Sequence, residues 1–285
     1  MNKNNAVKSA YVNVPVLTLY ASAAKDAGRT DEALYGDKVR ILEEDPASGR
    51  CRVRTHYHYE GWAAACDLIA ADAVTQTWED AACWRLGQSY ADILAAPDIT
   101  APALISLVRG SRLVVLSLPD KPGWISVRLL DGRTGYIRYR FLAPYQAPRA
   151  ISELDESAFR EAVTQTALSY LGTQYRWGGR SPLGIDCSGL CFTSYMLNGA
   201  LIYRDAKMPA GFAVHPIPRE KMQKGDLFFF PGHVAMSLGG DRFVHSTSRG
   251  GYYGVVVNSL NPADPDFRPD LLAELSACGS IFPIA

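Results

Sequence analysis

Short runs of alternating apolar and polar residues fill the first half of the chain, and they come round twice. DKVRIL follows Gly36, and SRLVVL follows Gly110. Val53-Arg54 recurs as Val127-Arg128, Gly61-Trp62 as Gly135-Tyr136, and Leu68 as Leu142. All these landmarks stand 74 positions apart, a constant register that marks an internal repeat. Period-two alternation bounded by Gly, Asp, Asn and Pro predicts short β-strands. In the second copy the strands are expected at Arg112–Leu116, Trp124–Leu129 and Thr134–Arg138. Asp131-Gly132 reads as a hairpin turn, because glycine tolerates positive φ. Units of about 60–70 residues with this spacing suit small β-barrels.

The pattern changes at Ala143–Glu153, where prolines and the lack of an apolar period predict a linker. Phe159, Val163, Ala167 and Leu171 then recur at helical spacing, predicting an amphipathic helix over Asp155–Leu171. From Gln174 the glycines and Pro182 make a tight loop. Cys187 then opens a second helical run, with Leu190, Cys191, Tyr195 and Met196 mostly on one side. Asp186 is placed as its cap, with Ser188 in the first turn. Farther on, Leu227-Phe228-Phe229-Phe230 predicts a buried strand. Val234–Leu238 and Arg242–Ser246 predict a hairpin turning at Gly239-Gly240, with His233 and His245 near neighbouring strands.

Composition narrows the class. The 285 residues suggest two or three domains, are 48% apolar and 20% charged, and so describe a globular protein. Disordered, collagen-like and coiled-coil chains are excluded. The 29 basic residues balance 29 acidic ones, which argues against a nucleic-acid partner. No run approaches the ~18 apolar residues of a membrane span. Asn13 and Pro15 interrupt the only leader-like stretch, so a cytoplasmic location is expected. On that basis the six cysteines are expected to be reduced.

A cysteine at a helix N-terminus meets free backbone N–H groups and the positive end of the dipole, both of which favour a thiolate. Such a nucleophile needs a base, and the base an orienting partner. Of five histidines, His233 and His245 stand together on the predicted hairpin, so a His–His relay beside Cys187 is expected. Cys191, one helical turn on, reads as core. Zinc held by Cys187, Cys191, His233 and His245 is disfavoured, because these spacings do not match finger motifs, whose histidines lie ~3–5 residues apart. No metal is expected, and no cofactor, since Gly178-Gly179 forms no nucleotide fingerprint.

Asp186-Cys187-Ser188-Gly189-Leu190, Gly225-Asp226-Leu227, Gly232-His233-Val234-Ala235 and Phe243-Val244-His245-Ser246 resemble, in order, the NlpC-type cysteine peptidases. Tyr175-Arg176-Trp177-Gly178-Gly179 resembles the family's loop before the nucleophile. The repeated first half resembles tandem bacterial SH3-like domains. The resemblance implies an α+β, papain-like catalytic domain at 146–285 behind two small SH3-like β-barrels at 1–72 and 73–145. It implies Cys187 as nucleophile, His233 as general base, His245 as its orienting partner and Tyr175 as an oxyanion donor.

Two such barrels before such a domain resemble a narrower group, the γ-D-glutamyl-L-diamino-acid endopeptidases of cell-wall recycling. The implied partner is a peptidoglycan-derived peptide bearing free L-Ala, then γ-D-Glu, then Lys or diaminopimelate. In that group the first SH3-like domain closes one end of the groove. A carboxylate must hold the L-Ala ammonium, with Asp186 or Glu32 as candidates. A cation and donors must hold the D-Glu carboxylate, with Arg204 and Ser188 as candidates. Asp205, Trp177 and Tyr59 complete the expected binding set. Two rivals remain: an inactive wall-binding module, and an acyltransferase of papain-like fold.

Overall fold

The computed structural model describes residues 8–119 and 123–284. The expected domain 1–72 and the reading of the N-terminus both include residues 1–7, which lie outside the described residues. The chain divides into two compact units, Met1–Tyr145 and Gln146–Ala285.

In the first unit, β1 (Ser9–Val12), β2 (Val16–Tyr20), β3 (Arg29–Leu34), β4 (Lys38–Asp45), β5 (Arg50–Thr55), β6 (Glu60–Ala64) and β7 (Leu68–Ala70) form one sheet. Its order is β3-β2-β6-β5-β4-β1-β7. Helix α1 (Ala73–Ala81) leads to β8 (Trp84–Leu86), β9 (Tyr90–Leu94), β10 (Ala103–Val108), β11 (Arg112–Val115), β12 (Trp124–Arg128), β13 (Thr134–Arg138) and β14 (Leu142–Pro144). These form a second sheet in the order β10-β9-β13-β12-β11-β8-β14, strand for strand the order of the first. The sequence repeat is therefore a repeat of topology. Gly36 and Gly110 occupy equivalent turns at φ +85° and +95°, where a side chain would be strained.

Closed barrels are not seen. Among the described residues the end strands of each sheet, β3 and β7 or β10 and β14, do not pair. β14 ends on Pro144, which has no N–H to offer another strand. The sheet thus runs into the expected linker, whose far end forms a 3₁₀ turn at Ile151–Glu153. Helix α1 was not foreseen. Asp72 and Thr75 form a reciprocal capping box at its start, each side chain accepting from the other's backbone N–H. Tyr11 and Tyr35 of the first repeat pack with Trp78, Leu113, Ile125 and Val127, so the two sheets share a core.

The second unit contains α2 (Glu156–Leu168), the hairpin β15 (Arg180–Ser181) and β16 (Gly184–Ile185), and α3 (Cys187–Leu197). Its six-stranded sheet comprises β17 (His215–Ile217), β18 (Leu227–Phe230), β19 (His233–Gly239), β20 (Arg242–Thr247), β21 (Gly254–Ser259) and β22 (Ala277–Ser280), with α4 (Pro269–Glu274) before the last. The order is β17-β22-β18-β19-β20-β21, antiparallel throughout. Asp155 caps α2 by accepting from Ala158 N at 2.9 Å. Phe159, Val163 and Ala167 are buried, whereas Leu171 lies beyond the helix end and is half exposed. β18 is wholly buried between β22 and β19, and α3 packs on β19 and β20. No described helix is long and apolar enough to cross a membrane. All six cysteines are unbridged.

Candidate active site

Cys187 is the first residue of α3, and Asp186 is its cap. Asp186 Oδ1 accepts from Gly189 N at 2.6 Å, and Oδ2 from Gly178 N at 2.8 Å. Arg204, itself buried, donates to both oxygens at 3.1 Å and to Ser188 Oγ at 2.9 Å. This bidentate pair ties together the loop before the nucleophile, the start of α3 and the segment at Arg204. A Cβ on Gly189 would stand 2.2 Å from the Gly179 carbonyl oxygen, so the close approach of α3 to that loop requires glycine.

The two histidines meet on β19 and β20. His233 Nε2 lies 2.8 Å from His245 Nδ1, and His245 Nε2 lies 2.9 Å from Asn258 Oδ1 on β21. Asn258 Nδ2 donates to the Asp266 carbonyl at 3.2 Å. Ser246, next to His245, donates its hydroxyl proton to the Ile185 carbonyl at 2.7 Å. That bond joins the histidine strand to the turn that ends at Cys187.

The helix head favours a thiolate, but tertiary packing works against it. Burial, and then the neighbouring Asp186 charge, push the Cys187 thiol up to about 11. The backbone N–H groups of Val234 and Ser188 pull the other way and are outweighed. Burial and then the second imidazole bring His233 down to about 3, with Arg249 and Arg268 adding to the effect. Burial brings His245 down to about 4 despite its bond to Asn258. Both shifts favour the neutral forms, thiol and imidazole.

Tyr175 sits in the loop before the nucleophile, its N–H donating to the Tyr253 carbonyl at 2.8 Å. Burial and the nearby Cys187 and Asp186 hold its hydroxyl well above the ordinary range, so it remains a donor. Ser188 and Asp205 line one small pocket with Cys191, Ile202, Tyr203 and Val234. Trp177 is 70% exposed. Glu32 and Tyr59 belong to the first unit: Glu32 is buried on β3, 3.7 Å from Arg29, and Tyr59 Oη donates to the Thr30 carbonyl at 3.3 Å.

Asp186 and Arg204 were expected to hold an ammonium and a carboxylate separately. In the structure the two are bonded to each other, opposite charges side by side in a buried setting. Asn258 was missed, and Ser246 was read only as part of the histidine motif. The only signal for Asn258 was a polar residue ending the run Val255-Val256-Val257. A cavity of about 310 Å³ in the first unit, lined by Ile41, Cys51 and Leu68 among others, has no histidine in its wall and no part in this arrangement.

The chain is similar to known proteins. The profile of the NlpC/P60 family matches residues 172–263, and that of the bacterial dipeptidyl-peptidase Sh3 domain matches residues 19–68. Dipeptidyl-peptidase 6 of Lysinibacillus sphaericus is 45% identical over 276 residues, covering 96% of this chain and 100% of that protein. The γ-D-glutamyl-L-lysine dipeptidyl-peptidase of Bacillus subtilis is 35% identical over 109 residues, 35% of this chain and 36% of the other. An NlpC/P60 family protein from Bacillus cereus superposes with a TM-score of 0.76 at 20% identity, over 96% of this chain and 100% of that one, which shows a shared fold.

Proposed function

The chain belongs to the NlpC/P60 family of cysteine peptidases, with a papain-like fold and an SH3 domain, and we propose that it hydrolyses the γ-D-Glu–diamino-acid bond of peptidoglycan stem peptides. The observation that carries this reading is the His233–His245 pair, bonded at 2.8 Å, in the same unit as a cysteine at a helix head whose thiol is met by the backbone N–H of Val234, the residue after His233. The relative from Bacillus subtilis, whose name specifies a γ-D-glutamyl-L-lysine bond, supplies the substrate class.

In this reading Cys187 attacks the γ-carbonyl of D-Glu while His233 takes the thiol proton. Burial pushes the thiol up, which favours proton transfer that accompanies attack. The oxyanion is met by the Tyr175 hydroxyl and by backbone N–H groups near Cys187. His233 returns the proton to the departing amine, leaving a thioester. Water, deprotonated by the same imidazole, releases the dipeptide acid and restores the thiol.

The substrate is a muropeptide with a free N-terminal L-Ala, and the enzyme acts in recycling, in the cytoplasm. The balance of 29 basic and 29 acidic residues gives no attraction to the polyanionic wall and suits a small soluble substrate. Residues 1–72 and 73–145 are taken as two SH3-like domains, since the second sheet repeats the strand order of the first. Residues 146–285 are taken as the catalytic domain.

Mass spectrometry of two matched peptides tests this. One is L-Ala-γ-D-Glu-diaminopimelate with a free amine, and the other carries an acyl group on that amine. Cleavage of the free peptide alone is expected. Cleavage of both would remove the amine requirement, and cleavage of neither by folded, reduced protein would overturn the substrate assignment.

A further inference from the structure

We propose that Asn258 is a positioning residue that selects the tautomers of the His233–His245 pair, so that Nδ1 of His233 is the bare nitrogen available to Cys187. The proposal rests on the reading of Cys187 and His233 as nucleophile and base.

The assignment follows from one end of the chain of bonds. The Asp266 carbonyl accepts from Ser259 N at 3.1 Å and from Asn258 Nδ2 at 3.2 Å. That fixes the amide of Asn258, whose NH₂ faces Asp266 and whose oxygen faces His245. An amide oxygen only accepts, so His245 Nε2, 2.9 Å away, carries the proton. A neutral imidazole has a single N–H, so His245 Nδ1 must accept. Its partner at 2.8 Å, His233 Nε2, must then donate. The only nitrogen of the pair left with an unshared lone pair is His233 Nδ1.

The opposite tautomers would set the lone pair of His245 Nε2 against that of Asn258 Oδ1. His245 and Asn258 are 0% and 1% exposed, so solvent cannot relieve the clash. The chain also serves both halves of the reaction. When His233 takes a proton on Nδ1, its Nε2–H continues to donate to His245, and nothing behind it has to rotate.

The single-proton accounting holds because both imidazoles are neutral near pH 7. The charged groups around the pair are Arg249, in the connection from β20 to β21, with Arg268 and Asp270 at the start of α4. Arg268 and Asp270 bond each other at 2.8 and 2.6 Å, and Arg249 lies 3.6 Å from Glu274. None of them hydrogen-bonds Asn258 or either imidazole, so a change at position 258 leaves them in place.

Two substitutions separate tautomer control from mere packing. Asn258→Leu keeps the bulk and removes the acceptor. Asn258→Asp keeps an acceptor facing His245 Nε2 and adds a charge. Asn258→Leu is expected to lower kcat about 10–100-fold, by analogy with the loss of a hydrogen-bond partner behind a metal-ligating imidazole, with KM within about twofold. Asn258→Asp is expected to retain most of kcat and to move the acid limb of the pH profile upward.

Imidazole ¹⁵N spectra of the wild-type protein read the tautomers directly, and they keep the proposal testable even if Asn258→Leu fails to fold. The expected result is a protonated Nε2 and a bare Nδ1 on His233. A proton on His233 Nδ1 in the wild type would overturn the proposal, as would an Asn258→Leu protein with unchanged kcat and spectra. Alkylation of Cys187 by iodoacetamide at neutral pH needs no peptide. If it slows in Asn258→Leu and recovers in Asn258→Asp while no stem peptide is cleaved, the relay stands and only the substrate assignment fails.

Discussion

The hydroxyl of Ser246 donates to the carbonyl of Ile185 at 2.7 Å, joining the strand that carries one catalytic candidate to the turn that carries another. Ser246 follows His245 on β20, and Ile185 lies two residues before Cys187. Cys187 and the histidine pair are far apart in the chain, and this bond is one tie between the segments that carry them.

Ser246→Ala is therefore expected to loosen the site more than the fold. The Ile185 carbonyl also accepts from Arg176 N at 3.2 Å, so it keeps a partner. A single neutral hydrogen bond is worth ~0.5–1.5 kcal/mol. Urea unfolding should show a loss of about that size. Steady-state kinetics should show kcat falling severalfold with KM nearly unchanged.

The Asp186–Arg204 pair predicts a strongly non-additive cycle. Arg204→Met strands a buried carboxylate, which costs about 3–5 kcal/mol. Made in an Asp186→Asn background, the same substitution strands no charge and should cost clearly less. Equal costs in both backgrounds, measured by urea unfolding, would show that the pair is not coupled.

The histidines set the pH behaviour. His233 is brought down to about 3 and His245 to about 4 by burial, so the base stays unprotonated well below the ordinary histidine range. The acid limb of kcat/KM should accordingly fall near pH 3–4 and not near 6.5. Stability carries the matching sign. Between those values and ~6.5 the unfolded chain binds protons that the folded chain does not, so stability rises with pH. This contribution is complete above ~6.5 and is lost as pH falls through about 4 and 3, which a series of thermal melts would record.

Tyr175→Phe removes one hydroxyl and little else. If the tyrosine meets the oxyanion, kcat should fall about 10²–10³-fold, the cost of one lost donor at such a site. A loss in KM alone would place the hydroxyl on the ground-state substrate.

How far the site could be read before the fold was known depended on sequence distance. His233 and His245 were legible because Gly239-Gly240 turns a hairpin between them. The 74-residue repeat was legible because equivalent glycines must sit in equivalent turns. The Asp186–Arg204 bond was not legible, because its partners lie 18 residues apart with no periodicity to join them. Asn258 was hidden for a related reason: its partner on β20 is set by sheet pairing and not by local pattern. The resting state of Cys187 was not legible: its place at a helix head could be read, whereas its burial and the Asp186 charge beside it come from tertiary packing. Closed barrels were expected from strand spacing, which says nothing about whether end strands meet.

The central claim is that Cys187 performs covalent catalysis on a γ-D-glutamyl bond. Intact-protein mass spectrometry of wild type and Cys187→Ala, each mixed with L-Ala-γ-D-Glu-diaminopimelate and quenched in acid, tests it most directly. The account predicts a wild-type adduct of one L-Ala-γ-D-Glu acyl group that maps to Cys187. It predicts neither adduct nor hydrolysis for Cys187→Ala. Continued release of the diamino acid by folded Cys187→Ala protein would contradict it.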